Sequence, residues 1–109
     1  MSFLSSLFSR PDINAGVDTV KATPGALLVD VRTREEYVTG HIPGSMNIPS
    51  DNLQRIQKQI RDLNTPLFLY CLSGSRSSGA ARLLRKAGYA NVTSIGGVTR
   101  WRGTLERGK

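Results

Sequence analysis

Short apolar segments alternate with segments of helical periodicity along most of the chain. The continuous apolar runs at 26–31 and 67–70 lie between turn-forming and polar residues, which is typical of strands buried on both faces of a sheet. Briefer runs at 45–49 and 91–95 predict two more strands, and residues 12–22 predict a short strand followed by a helix. The alternation therefore predicts an α/β domain with a mainly parallel sheet of about five short strands.

Helices are predicted between these strands, with turn-forming residues at their ends. Thr33 and Glu36 stand at the spacing of a capping box, and Gly40 closes the short helix that they begin. A second helix is predicted over 51–63, and a terminal helix is predicted around Trp101. The expected apolar faces consist of Leu53, Ile56, Ile60 and Leu63 in the second helix, and of Ala80, Leu83, Leu84 and Ala87 in a helix that ends at Gly88.

The composition is that of a globular protein with one domain. The 109 residues are 39% hydrophobic and 21% charged, and no stretch approaches the ~20 apolar residues of a membrane span. We expect a loosely ordered leader at 1–11 and a single domain at 12–109. The leader either docks its apolar residues on the domain or makes a weak membrane or partner contact. We expect a cytoplasmic monomer.

Cys71 is the only cysteine of the chain and His41 is the only histidine. A single cysteine excludes an internal disulfide, and one cysteine with one histidine offers no cluster of metal ligands. We therefore expect neither a metal site nor a cofactor.

Basic residues outnumber acidic ones, which gives a net charge of +7, and eleven of the fifteen basic residues are arginines. Solvated surface charge is the simplest interpretation. Steering of a small anionic substrate towards a cleft is the functional interpretation that we retain. Nucleic-acid binding is disfavoured because the basic residues are spread along the chain without interleaved aromatic residues.

Cys71 stands where an apolar strand ends, a loop of small residues follows and a helix begins. The loop consists of Leu72, Ser73, Gly74, Ser75, Arg76 and Ser77. Amides of such a loop and the positive end of a helix dipole favour an anion, so they lower the pKa of a thiol from its usual ~8.5. Ligand sites of α/β sheets lie outside the carboxyl ends of strands. The segment therefore predicts a thiolate in an anion-binding cradle.

Three separated segments resemble, in order, the motifs of rhodanese-like domains. They are 28–49, which contains Leu-Val-Asp-Val-Arg and Gly-His-Ile-Pro-Gly, the loop from Cys71 to Ser77, and Gly96-Gly97 with Trp101. The resemblance covers roughly residues 12 to 103. It implies the three-layer α/β/α rhodanese fold and a sulfurtransferase that carries sulfane sulfur as a persulfide on Cys71.

The resemblance and the residues together predict a double-displacement reaction. Cys71 takes the outer sulfur of thiosulfate or of another persulfide donor. Cyanide, a small thiol or a protein thiol, including that of a sulfur-relay protein, then accepts the sulfur. The amides of 72–77 hold the sulfur, Gly74 permits the tight turn, and Arg76 binds the anionic donor.

Two other functions are weighed against this one. A non-catalytic binding or regulatory module on the same fold is the alternative, although such a module is expected to lose the cysteine. A phosphatase is disfavoured because related phosphatases have one residue more than the four that separate Cys71 from Arg76. The shorter loop favours a single sulfur over a phosphate.

The remaining candidates receive mainly structural interpretations. Asp30 and Arg32 end a neighbouring strand, and pairing that shapes the loop is favoured over direct chemistry. His41 is interpreted as a turn residue. Trp101 is interpreted as core packing, and the arginines on either side of it are candidates for the border of the site.

Overall fold

The computed structural model describes residues 11–109. These residues form α1 (Ile13–Ala22), β1 (Leu27–Asp30), α2 (Arg34–Thr39), β2 (Met46–Asn47), α3 (Gln54–Gln59), β3 (Leu67–Cys71), α4 (Ser75–Lys86) and β4 (Val92–Gly97). Single 3-10 turns lie at Ser50–Asn52 and Val98–Arg100. The predicted leader lies outside the described residues, except for Pro11.

The four strands within residues 11–109 form one parallel sheet in the order β2-β1-β3-β4. In β1, Asp30 pairs with Tyr70 of β3, and in β3, Cys71 pairs with Gly97 of β4. All carboxyl ends therefore lie at one edge of the sheet, where the loop after Cys71 begins. The α/β class and the parallel sheet are confirmed, with four strands in place of about five.

Apolar side chains on both faces of the sheet confirm the three-layer arrangement. Leu67 and Leu69 of β3 pack in a cluster with residues of α3 and α4. Phe68 and Tyr70 of the same strand pack on the opposite face with residues of α1. Alternate residues of β3 thus face opposite layers, as strand geometry requires. Every residue of β3 is buried, which explains its continuous apolar run.

The expected strand within 12–22 is wrong, because the helix α1 occupies the segment from Ile13. The side chain of Asp12 accepts a hydrogen bond from the amide of Asn14 (2.9 Å) and caps the helix. Ile13 and Val17, one helical turn apart, are the buried residues of α1. The cap therefore starts a helix at the point where the apolar residues suggested a strand.

The helix predicted over 51–63 is also too long, because α3 ends at Gln59. The hydroxyl of Tyr89 lies 2.5 Å from the carbonyl oxygen of Ile60, which directly follows the helix, and 3.3 Å from that of Ile56. This tertiary contact gives the carbonyl at the helix end a donor. Leu63 lies beyond the helix and is 46% exposed.

Two further expectations fail where tertiary packing decides the outcome. The predicted apolar face of α4 includes Leu83, yet this residue is 58% exposed, because Ala80, Ala81 and Leu84 fill the contact with the sheet. The terminal helix around Trp101 is only the 3-10 turn Val98–Arg100. The indole follows that turn, packs beside α1 and donates to the carbonyl of Thr104 (2.9 Å).

The capping box at the start of α2 is confirmed. The hydroxyl of Thr33 accepts from the amide of Glu36 (3.2 Å), and the Glu36 carboxylate accepts from the amide of Thr33 (3.0 Å). The helix ends at Gly40, as its sequence predicts. No helix within residues 11–109 is long and apolar enough to cross a membrane.

Candidate active site

The thiol of Cys71 lies at the centre of a ring of hydrogen-bond donors. Its Sγ accepts from the amide of Gly74 (3.0 Å) and from the amide of Ser77 (3.4 Å). Cys71 is fully buried. Gly74 has a φ of +110°, a left-handed conformation that turns the loop sharply into α4. The loop and the first turn of α4 therefore enclose one sulfur atom.

The hydroxyl of Ser77 also contacts the sulfur. The Cys71 thiol donates to Ser77 Oγ (3.5 Å), which itself donates to the carbonyl of Gly74 (3.1 Å). Ser94 Oγ of β4 lies 2.7 Å from Ser77 Oγ. A hydroxyl donates only one proton, so donation from Ser77 to an ionised sulfur requires that proton to turn from the Gly74 carbonyl to Sγ. Ser94 can then donate to Ser77 in compensation.

Opposing effects set the pKa of Cys71. Burial raises it, because an apolar environment disfavours the charged form. Hydrogen bonds from the hydroxyl and amide of Ser77 and from the amides of Gly74 and Arg76 lower it. The hydrogen bonds prevail, and the pKa of Cys71 lies below its ordinary value. The cradle thus favours the nucleophilic form of the thiol.

The glycine pair Gly96-Gly97 at the end of β4 contacts the loop from the β4 side of the sheet and helps to position it. A register shift between β3 and β4 places Gly97 opposite Cys71. A Cβ on Gly97 would overlap the carbonyl oxygen of Leu72 and approach the Cα of Ser73 to 2.6 Å, so only glycine fits there. The amide and hydroxyl of Thr99 donate to the same Leu72 carbonyl (3.3 and 3.2 Å). The closing motif therefore fixes the first residues of the loop.

Arg76 is held by a carboxylate of α2. Its guanidinium donates to both oxygens of Glu36 (2.7 and 2.9 Å), and about a third of the Arg76 side chain is exposed. This contact holds the pKa of Glu36 at about 2 and raises the pKa of Arg76. The negative charge of Cys71 adds to the rise at Arg76. The guanidinium is therefore near the sulfur but already paired, and its expected binding of the donor stays a prediction.

Asp30 and Arg32 form a buried ion pair at the end of β1. Arg32 Nη2 lies 2.7 Å from Asp30 Oδ2 and also donates to the carbonyl of Gly40 (2.7 Å). The guanidinium stands over the ring of Tyr70, 5.8 Å from its centroid. Burial lowers the pKa of Arg32 and Asp30 raises it, with a net rise. The pair joins β1 to the end of α2, and its expected role in shaping the loop stays a prediction.

His41 also has structural contacts. Its ring stacks on Tyr37 with 3.7 Å between centroids, and its Nδ1 lies 2.8 Å from the Tyr37 carbonyl. The backbone of His41 exchanges two hydrogen bonds of 2.8 Å with Glu106. His41 is 4% exposed. The side chain therefore orders the turn between α2 and β2.

The structure separates the two arginines that flank Trp101. Arg100 lines a cavity beside the loop, together with Ser73 and Gly74. The amide of Arg102 instead donates to the side chain of Asn14 (3.0 Å), at the start of α1. Within residues 11–109, no group of three or more histidine, cysteine or carboxylate side chains is placed to hold a metal ion.

Two contacts of the site have no signal in the sequence pattern. Ser94 is a polar residue within β4, and only the register of β4 on β3 brings its hydroxyl to Ser77. The capping-box spacing predicts that Glu36 caps a helix, but it does not indicate that Glu36 also binds Arg76. Both contacts depend on the packing of distant segments.

Comparisons with known proteins agree with this geometry. The family model described as "Rhodanese-like domain" matches residues 14–104. The uncharacterized protein YqhL of Bacillus subtilis is 39% identical over 85 residues, which cover 77% of this chain and 67% of YqhL. Thiosulfate sulfurtransferase GlpE of Pseudomonas entomophila is 36% identical over 81 residues, which cover 73% of each protein.

A solved structure described as rhodanese with anions from E. coli has the same fold. It superposes with a TM-score of 0.71 at 31% identity and covers 76% of this chain and 99% of its own. The match of the family model spans the sheet, the cysteine loop and the closing glycine pair. The chain therefore belongs to the rhodanese-like domain family.

Proposed function

We propose that this protein is a thiosulfate sulfurtransferase that carries sulfane sulfur as a persulfide on Cys71. The observation that carries the proposal is the position of Sγ, which accepts from the amides of Gly74 and Ser77 inside a closed loop. Such preorganised donors stabilise a sulfur anion without reorganisation during the reaction.

In the first step, the Cys71 thiolate attacks the outer sulfur of thiosulfate. A bond forms between Sγ and that sulfur, and the sulfur–sulfur bond of thiosulfate breaks, with its electron pair leaving on sulfite. Thiosulfate brings two negative charges and sulfite carries two away, so the single negative charge of the thiolate is retained on the persulfide. The loop that held the thiolate then holds the terminal sulfur of the persulfide.

In the second step, cyanide or a thiol attacks that terminal sulfur and restores the thiolate. We propose that the acceptor in the cell is a low-molecular-weight thiol or the thiol of a sulfur-relay protein, and that the protein works in the cytoplasm as a monomer. The net charge of +7 favours the approach of anionic donors. The residues proposed to act in the site are Cys71, the loop 72–77 and, as structural support, Asp30 and Arg32.

Steady-state turnover of thiosulfate with cyanide tests the proposal. The wild type is expected to produce thiocyanate, and Cys71→Ala is expected to produce none while keeping its thermal unfolding transition. Hydrolysis of p-nitrophenyl phosphate is measured in parallel, because the short loop predicts no phosphatase activity. An unchanged rate in Cys71→Ala would overturn the proposal. Absence of turnover in the wild type would favour the binding module.

A further inference from the structure

A cavity of about 510 Å³ adjoins the sulfur loop on its β4 side. This volume lies within the range of small-molecule pockets, about 300–1,000 Å³. We call the cavity the β4 groove. Its lining residues come from the loop, from α4, from β4 and from the segment after β4, and they are Pro11, Ser73, Gly74, Ser78, Arg85, Thr93, Ser94, Gly96, Gly97 and Arg100.

The charge of the β4 groove is positive. Arg85 and Arg100 line it, and no acidic residue does so among residues 11–109. The ion pairs within residues 11–109 join Arg32 to Asp30 and Arg76 to Glu36, so neither groove arginine has a carboxylate partner there. The groove therefore presents two uncompensated guanidinium groups beside the sulfur loop.

Arg85 is oriented by the backbone of β4. Its Nε and Nη2 both donate to the carbonyl of Val92 (3.1 and 2.8 Å). The guanidinium has further N–H groups in a fixed planar fork, and these remain available to a ligand. An arginine already held in place loses less conformational entropy on binding than a free one.

The other walls of the groove offer hydroxyl groups and open backbone. Ser78 and Thr93 contribute hydroxyls, Ser94 lines the groove although its hydroxyl also contacts Ser77 Oγ (2.7 Å), and the glycines 74, 96 and 97 add no side chains. Hydroxyls and guanidinium groups together are the donors that recognise carboxylates. The lining thus fits a polar ligand with more than one carboxylate.

We propose that the β4 groove binds the carboxylates of a small thiol that accepts sulfur from Cys71. The inference rests on the proposed function and names the class of its acceptor. The groove is much larger than thiosulfate requires and has room for an acceptor of the size of a short peptide. The groove reaches the loop at Ser73 and Gly74, and the amide of Gly74 bonds Sγ (3.0 Å). Cys71 itself does not line the groove, so the anchored acceptor has to extend its thiol past the loop to reach the persulfide.

The transfer step balances without a further reactant. The acceptor thiol attacks the terminal sulfur of the Cys71 persulfide, and a new sulfur–sulfur bond forms on the acceptor. The bond between Sγ and the terminal sulfur breaks, and its electron pair stays on Sγ as the thiolate. The acceptor leaves as a persulfide that carries the proton of the original thiol.

Binding is tested first, without any sulfur chemistry. The ¹⁵N-labelled protein is titrated with S-methylglutathione, which has two carboxylates and no free thiol, and separately with its diethyl ester. We expect shifts of the Ser78, Thr93 and Ser94 amide signals with the acid and weaker binding of the ester. In the double variant Arg85→Gln and Arg100→Gln, we expect the affinity for the acid to fall about tenfold, because charge-assisted hydrogen bonds are lost.

The matched control is Arg82→Gln, which removes a charge from the same helix at an exposed position outside the groove lining. It is expected to bind S-methylglutathione as the wild type does. Equal binding of acid and ester, an absence of shifts in the groove, or equal losses in Arg82→Gln and the double variant would overturn the inference.

Kinetics then separate this inference from the proposed function. With thiosulfate as donor, the double variant is expected to form the Cys71 persulfide with an unchanged KM for thiosulfate. Its KM for glutathione is expected to be about tenfold higher than that of the wild type, whereas its KM for glutathione diethyl ester is expected to equal that of the wild type. A raised KM for thiosulfate alone would contradict the acceptor assignment. Failure of the wild type to form a persulfide would contradict the proposed function, while the titration still decides whether the groove binds carboxylates.

Discussion

Replacement of Ser77 by alanine removes one donor from the thiolate and leaves the backbone amides in place. The hydroxyl lies 3.5 Å from Sγ and is fully buried, so water does not replace it. A hydrogen bond to a charged group is worth about 1.5–3 kcal/mol at ordinary distance. At this longer contact we expect about 1 kcal/mol, which corresponds to a rise of the Cys71 pKa by somewhat less than ~1 unit, at 1.36 kcal/mol per unit.

The sign of the effect determines the pH range in which it is seen. A higher pKa leaves less thiolate at any pH below it, so the loss of reactivity in Ser77→Ala is largest at acidic pH and disappears above the pKa. The rate of alkylation by iodoacetamide, measured against pH, reports the thiolate directly and does not depend on turnover. The acidic limb of the profile is expected to move to higher pH by up to ~1 unit.

Two variants complete this experiment. Ser94→Ala is expected to shift the limb in the same direction but less, because Ser94 acts on the sulfur only through the Ser77 hydroxyl (2.7 Å). Thr19→Ala removes a hydroxyl from α1 that bonds the Ala15 carbonyl (3.1 Å), and it is the control with an unshifted profile. An unmoved or acid-shifted limb in Ser77→Ala would refute the reasoning.

Three further predictions concern the support of the loop. Glu36 has a pKa of about 2 in the folded protein and about 4.3 when unfolded, so its ion pair stabilises fully above pH ~4.3 and is lost as the pH falls through 2. Because this pair is partly exposed, Glu36→Gln is expected to lower the free energy of unfolding by about 1 kcal/mol at pH 6 and by much less at pH 2 in urea unfolding. A pH-independent difference would contradict this. Gly97→Ala is expected to lower the free energy of unfolding by at least ~2 kcal/mol and to abolish turnover, because its Cβ meets the loop backbone. The control Gly79→Ala, whose Cβ meets no atom within 4 Å, is expected to stabilise α4. Equal melting temperatures of the two variants would contradict the close contact between Gly97 and the loop. Asp30→Asn leaves the buried Arg32 without its carboxylate and is expected to destabilise the fold by about 3–5 kcal/mol, so a loss below about 1 kcal/mol in urea unfolding would argue against a structural pair.

The sequence pattern identified the elements whose local signals agree with their tertiary contacts. The run Leu67–Cys71 is continuous and apolar because both faces of β3 are buried, and it was predicted with an error of one residue. The capping box at Thr33 and Glu36 is a local device, so it was also predictable. The cysteine loop was located because a thiol, small residues and a helix start are adjacent in the chain.

Several failures arise where distant residues decide the local structure. At the end of α3, the carbonyl of Ile60 bonds the Tyr89 hydroxyl, which is far away in sequence. Leu83 is exposed because small residues of α4 fill the contact between this helix and the sheet. The pairing of Arg76 with Glu36 joins two helices, and no spacing rule indicates it. These contacts exist only after the layers have packed.

The central claim is that Cys71 accepts a sulfur atom and that the loop holds it. Intact mass spectrometry after incubation with thiosulfate tests it most directly, with isotopic label in the outer sulfur only. The account predicts that the wild type gains about 32 Da plus the mass difference of the isotope, which is the mass of one labelled sulfur. Cyanide is expected to remove this gain, and Cys71→Ala is expected not to show it. A wild-type protein that gains no labelled sulfur, or a Cys71→Ala variant that gains the same mass, would contradict the account.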